Sequence, residues 1–213
     1  MSVRMRKKKN LLPRLEACAS LIEKEPETRK GTWLSLFPAC SRLSLEIGCG
    51  KGKFTAETAE TDPDCALVAL ERVPEAMVMA VEKAARLSLS NVRYVIADAA
   101  DLAAYFDEGE LDRIYVNFCD PWPKKKHAER RLVHRNFLTR YASLLKSGGE
   151  VIFKTDNRPL FDFALEEAAA SPLETFEISY DLASSGLPNV TTEYEEKFMA
   201  QGMPIHRAVF RKK

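Results

Sequence analysis

The stretch "LEIGCGKGKF", residues 45–54, decides the fold. It closes a short apolar segment, "LSLEI" (43–47), that reads as a strand, and opens "KFTAETAE" (53–60), that reads as a helix. The junction carries Glu46-x-Gly48-x-Gly50-x-Gly52. Glycines let a backbone turn tightly and let a ligand approach closely. A dinucleotide fingerprint, GxGxxG, would put its third glycine at the place held here by Lys53. A pyrophosphate also favours helix N–H groups and positive dipole, rather than an acid two residues before the first glycine. The pattern therefore argues against a nicotinamide-type dinucleotide.

Working outward, strand-like and helix-like segments alternate. "CALVAL" (65–70), "VRYVIA" (92–97), "LDRIYVNF" (111–118) and "EVIFKT" (150–155) read as further strands. Helices are predicted over 74–87, 99–106, 130–145 and about 159–170, with Pro74 at a first turn, where its missing N–H is harmless. Gly148 and Gly149 are expected to end the helix before the fifth strand. Two later strands, 174–181 and 204–212, flank a long loop, and residues 15–24 read as a short helix near the start. Five strand–helix units in series predict a parallel sheet with helices on both faces, finished by a pair of strands with one antiparallel member. Residues 1–14 are expected to be a basic, flexible extension and 15–213 a single domain.

A carboxylate stands in or just beyond the end of each of the first five strands: Glu46, Glu71, Asp98, Asp120 and Asp156. Open α/β sheets bind ligands in the crevice outside those strand ends. Five such acids in a row point to a site rather than to solubilising charge.

The net charge of +1 conceals three basic islands. Residues 1–14 carry +6, residues 120–140 carry +5 and residues 207–213 carry +4, so the remaining chain carries −14. An acidic body with basic islands suggests a localised face for a polyanion. The five cysteines are scattered, with no CxxC pair, which fits neither zinc nor a disulfide framework and suggests a reducing, cytoplasmic setting. No apolar run reaches spanning length, so no membrane span is predicted, and neither is a metal site. Composition leaves the oligomeric state open between monomer and homodimer.

The E/DxGxGxG form resembles motif I of the class I S-adenosylmethionine-dependent methyltransferases. A second stretch, "YVNFCDPWPKKKHAERR" (115–131), sharpens this. Its "DPWPKKKH" followed by "RR" resembles the bacterial tRNA (guanine-N7)-methyltransferase family, as do "FKTDN" (153–157) and "TTEYEEKF…G" (191–202). Order and spacing, from about residue 43 to the end, make the likeness specific. The resemblance implies a Rossmann-like class I methyltransferase, with a seven-stranded, mostly parallel sheet carrying one antiparallel strand. It implies that S-adenosyl-L-methionine is the donor, leaving S-adenosyl-L-homocysteine, and that the acceptor is N7 of the variable-loop guanine (position 46) of tRNA.

The same likeness implies roles. Glu46, Gly48, Gly50, Gly52, Glu71, Asp98 and Asp120 would hold the donor, with Glu71 on the ribose hydroxyls and Asp98 on the adenine amino group. Asp120 would also lie at the catalytic centre. Lys124, Asp156, Thr192, Glu193, Tyr194 and Glu195 would contact the substrate, and Lys124, Lys125, Lys126, His127, Arg130 and Arg131 the RNA. A cationic run opposes the dipole at the start of a predicted helix, and so favours anions nearby.

The chemistry agrees independently. Guanine N7 has an in-plane lone pair and needs no general base, while the methylated ring is cationic. Positioning and stabilisation of positive charge are then the enzyme's tasks. Guanine N1–H and N2–H₂ are donors that suit a carboxylate, with Asp156 or Glu195 as readers of that edge. Trp122 is divided between stacking on a base and packing its own loop. Other readings are a class I methyltransferase acting on an exocyclic amine or a small molecule, and a non-catalytic RNA-binding module; the first has no use for the cationic run, and the second predicts a broken glycine loop.

Overall fold

The computed structural model describes residues 8–213. Residues 1–7 of the predicted basic extension lie outside the described residues. The strands follow the order β3-β2-β1-β4-β5-β7-β6 in one seven-stranded sheet, and the chain divides into two compact units that part between Asp107 and Glu108.

The first unit opens with helix α1 (Leu11–Ala17), earlier than the helix predicted over 15–24. Arg14 in α1 donates to both carboxylate oxygens of Glu82 at 2.7 Å. Strand β1 (Arg42–Ile47) leads through the glycine loop into α2 (Lys53–Thr61). Strand β2 (Cys65–Leu70), helix α3 (Pro74–Arg86) and strand β3 (Val92–Val95) follow, and then a 3₁₀ turn and the short helix α4 (Leu102–Tyr105). Strands β1, β2 and β3 pair in parallel. All six residues of β2 are buried, as expected of a parallel strand covered on both faces. Gly52, with φ at +76°, starts α2; a Cβ there would lie 2.6 Å from Cβ of Ala80 in α3. The third glycine of the motif therefore serves helix packing. Trp33, fully buried, stacks on Phe106 at 5.3 Å and donates from Nε1 to the carbonyl of Tyr105 at 2.8 Å.

The second unit holds β4 (Leu111–Asn117), α5 (Arg135–Leu144), β5 (Leu145–Thr155), α6 (Arg158–Ala169), β6 (Leu173–Ser179), α7 (Glu193–Met199) and β7 (His206–Lys212). Strands β4 and β5 are parallel, and β7 runs antiparallel to both β5 and β6. This is the mostly parallel sheet with one antiparallel strand that the sequence predicted. Phe153 of β5 and Phe161 of α6 stack at 6.2 Å within its core.

Two further differences from the sequence reading lie around α5. The predicted helix over 130–145 begins at Arg135, because the cationic run forms a separate 3₁₀ turn, Lys125–Arg130. Gly148 and Gly149 lie inside β5 rather than ending α5. A Cβ at Gly149 would meet the carbonyl oxygens of Lys146 and Asp112 at 3.0 and 3.1 Å, so close backbone approach requires that glycine.

Candidate functional site

In the first unit the glycine loop is built for exposure of its backbone. Gly48 and Gly50 have φ of +79° and +56°, conformations that favour glycine, and a Cβ on either would meet nothing within 4 Å. That open space fits a ligand lying against the main chain. Glu71, half-buried beyond β2, braces the loop: its Oε2 accepts from the Gly50 N–H at 3.1 Å and its Oε1 from the Val73 N–H at 2.9 Å. Asp98 is exposed, and its Oδ1 caps the following turn by accepting from the Ala100 N–H at 2.9 Å. Each of these carboxylates keeps lone pairs for hydroxyl or amino donors.

Glu46 is placed differently from what its motif position suggests. It is 1% exposed, and its Oε2 accepts from the hydroxyl of Thr55 in α2 at 2.5 Å. Its carboxylate ties β1 to α2. Beside it, burial, seconded by the charges of Glu46 and Glu71, pushes the Cys49 thiol well above its ordinary range, so it stays protonated.

In the second unit the turn after β4 is strained. Phe118 and Trp122 have φ of +51° and +40°, a left-handed backbone that bulky residues rarely adopt. Asp120, exposed, stands between them. Such strain persists only when surrounding bonds over-determine it, and it clusters at functional sites. Here the Phe118 N–H donates to the carbonyl of Lys154 at 2.9 Å. Arg131 donates to the carbonyls of Pro121 and Trp122 at 3.0 and 3.1 Å. The Arg131 guanidinium also lies over the Phe163 ring at 4.2 Å. Burial first, then the charge of Asp120, pushes the Cys119 thiol up to about 12, so it is no nucleophile at neutral pH.

Arg131, predicted as an RNA contact, is thus placed as a clamp on the 118–122 turn. The rest of the run is open: Lys124, Lys125, Lys126 and Arg130 are exposed and His127 half-buried. The dipole argument for this run does not hold, because its 3₁₀ turn is not the start of α5. That start is served instead by Glu167 of α6, which accepts from the Arg135 N–H at 2.7 Å and pairs with its guanidinium at 2.8 Å. Trp122 packs its own loop: the Arg130 guanidinium lies 5.1 Å from its ring centre, and the His127 ring meets it edge-on at 5.6 Å.

The "FKTDN" segment closes β5. Asp156 is half-buried just past the strand, and Asn157 caps α6 by accepting from the Leu160 N–H at 2.9 Å. The 192–195 segment begins α7. Thr192 and Glu195 form a capping box, with the Thr192 hydroxyl accepting from the Glu195 N–H at 2.9 Å. Tyr194 is 52% exposed and its ring lies 5.9 Å from that of Phe118, while Glu193 is half-buried. Glu195 is 0% exposed and bound by Lys154 Nζ at 2.7 Å and Asn189 Nδ2 at 2.5 Å. A carboxylate so enclosed does not read a base edge, which leaves Asp156 as the candidate reader. The sequence reading missed Lys154, although a lysine within the apolar run "EVIFKT" was a visible signal.

Among the described residues, no group of three or more His, Cys, Asp or Glu side chains could hold a metal ion. No helix among them is long and apolar enough to cross a membrane.

Comparison with known proteins places this fold and loop in a class. A family described as "Putative methyltransferase" matches residues 41–208. A solved 16S rRNA methyltransferase, KamB, shares the fold at a TM-score of 0.66 and 15% identity, covering 86% of this chain and 93% of its own. The chain is therefore a Rossmann-like class I methyltransferase. The tRNA (guanine-N(7)-)-methyltransferase of Geobacillus kaustophilus is 41% identical over 206 residues, 96% of this chain and 95% of its own. That of Clostridioides difficile is 45% identical over 185 residues, 86% of each chain. The chain belongs to the tRNA (guanine-N(7)-)-methyltransferase family.

Proposed function

We propose that this chain methylates N7 of the variable-loop guanine of tRNA, with S-adenosyl-L-methionine as donor, in the cytoplasm. The observation that carries the reading is the near-full-length likeness to enzymes of that name, at 41% and 45% identity. The open space at Gly48 and Gly50, with the carboxylates of Glu71 and Asp98, supports the donor assignment.

Bound S-adenosyl-L-methionine supplies an electrophilic methyl group. Glu71 and Asp98 accept hydrogen bonds from its hydroxyl and amino donors, and Gly48 and Gly50 admit it to the main chain. Glu46 keeps the loop in shape from beneath through Thr55. The guanine already carries its lone pair, so the second unit orients rather than deprotonates. Asp156 accepts from the N1–H and N2–H₂ edge, and Asp120, held in its strained turn, offsets the positive charge that develops on the ring. Orientation for in-line attack supplies roughly 7–11 kcal/mol in favourable systems. Lys124, Lys125, Lys126, His127 and Arg130 hold phosphates.

The test is methyl transfer to unmodified tRNA, with the modified nucleoside identified by mass spectrometry as 7-methylguanosine. A transcript lacking the variable-loop guanine should accept no label. Modification of an exocyclic amine, or equal labelling of the control transcript, would sink the reading. S-adenosyl-L-homocysteine should raise the melting temperature, because a ligand that binds the native state stabilises it.

A further inference from the structure

Three parts of the second unit converge on one buried residue. Lys154 is 2% exposed near the end of β5. Its carbonyl accepts the Phe118 N–H at 2.9 Å, which anchors the turn holding Asp120. Its ammonium donates to Asn189 Oδ1 at 3.0 Å, to the Val190 carbonyl at 2.8 Å and to Glu195 Oε2 at 2.7 Å. Two residues further on stands Asp156.

A pair this deep is not explained by stability alone. Taking both charges out of water is costly, and apolar replacement of a whole buried ion pair is often neutral or stabilising. What an ammonium adds is direction: three acceptors of one segment are held at fixed distances from one strand. Glu195 extends the constraint into α7 through its capping box with Thr192. Tyr194, between them in sequence, is thereby held with its ring beside Phe118 and about half its surface open.

We propose that Lys154 is a positioning residue for tRNA methylation: it fixes segment 189–195 against the end of β5 and so sets where Tyr194 stands relative to the turn that carries Asp120. The role rests on the reading given under Proposed function and touches neither donor nor reacting atoms.

The test compares wild type, the paired replacement Lys154→Met/Glu195→Leu, and Asn189→Ala. The paired replacement leaves no charge unpaired, and is expected to melt within a few degrees of wild type and to bind S-adenosyl-L-homocysteine within about twofold. Its kcat/KM for tRNA should fall roughly 10- to 100-fold, and the amides of 189–195 should exchange hydrogen faster. Asn189→Ala, at an exposed position, removes a hydrogen-bond partner of both Lys154 and Glu195 but leaves the two charges paired, so it tests the claim even where the paired replacement does not fold. It should lower kcat/KM for tRNA roughly 3- to 10-fold. A folded paired variant with wild-type kcat/KM would show that the pair serves stability only, and overturn the proposal. Asn189→Ala with unchanged kcat/KM and unchanged exchange over 189–195 would do the same. Wild-type protein that transfers no methyl group to tRNA would instead overturn the functional reading, while the exchange comparison still reports whether Lys154 holds the segment.

Discussion

Arg131 holds Trp122 by its main chain, donating from Nη2 to its carbonyl at 3.1 Å while Nε takes the preceding carbonyl of Pro121 at 3.0 Å. An arginine that sits in a basic run thus maintains a left-handed aromatic residue two positions from Asp120. Lys124, Lys125 and Lys126, earlier in the run, are exposed instead, and mutation should separate the two roles.

Arg131→Lys keeps the charge but loses the fork that spans two carbonyls. It should lower kcat/KM for tRNA by roughly 10- to 100-fold, because a misplaced turn costs rate far from the mutation. The salt dependence of tRNA binding should stay as in wild type. A slope that falls as though one phosphate contact were lost would return Arg131 to the RNA face.

Lys125→Ala and Lys126→Ala should behave in the opposite manner. Each should weaken tRNA binding at all sequences and reduce the slope of log affinity against log salt by about 1. Turnover at saturating tRNA should stay within about twofold of wild type. Filter binding across a salt series gives the slope.

Asp156→Ala should impair use of guanine far more than binding of S-adenosyl-L-homocysteine. Loss of a charged hydrogen-bond acceptor to two donors costs about 2–3 kcal/mol, or roughly 30- to 150-fold in kcat/KM. Calorimetry with the homocysteine product should report an affinity within about twofold of wild type. Equal losses in both would place Asp156 in the donor site.

Gly52 and Gly50 should respond differently to alanine. At Gly52 the new Cβ would meet Ala80 at 2.6 Å and the backbone has positive φ. Overpacking and strain together cost about 2–4 kcal/mol, which lowers the melting temperature by roughly 4–16 °C. Gly50→Ala meets no neighbour, so it should cost about 1–2 kcal/mol of backbone strain, with S-adenosyl-L-homocysteine affinity falling by more than stability explains. Thermal melts with and without the product check both.

Glu167 sets a pH window. Hydrogen bonds and charge from Arg135, with the His134 ring adding its share, hold its carboxyl down to about 2, below the ordinary 4.5. A group depressed on folding contributes stability that is fully present above 4.5 and fades as pH falls toward about 2. Glu167→Gln should therefore destabilise at pH 7 by about 2 kcal/mol, and the gap between variant and wild type should close on acidification from pH 4.5 to 2. Urea melts across that range read it directly; a constant gap would remove Glu167 from the account.

The alternation of apolar segments with helical periods predicted the sheet, because parallel strands buried on both faces read as unbroken apolar runs, as β2 does. The glycine spacing marked the loop, since positive φ leaves a signature in residue type. Acids at strand ends were legible for the same reason: the register of a strand against its loop is local. What local sequence did not hold was the pairing of charges distant along the chain. Glu46, Glu195 and Arg131 matched motif positions, but their surroundings come from α2, from β5 and from carbonyls of a turn nine or ten residues away. Whether a charged side chain faces a ligand or spends its hydrogen bonds within the protein depends on which distant donors or acceptors the packing brings within about 3 Å. Residue type and spacing named the candidates; only the tertiary arrangement divided those whose hydrogen bonds are spent within the protein from those left exposed.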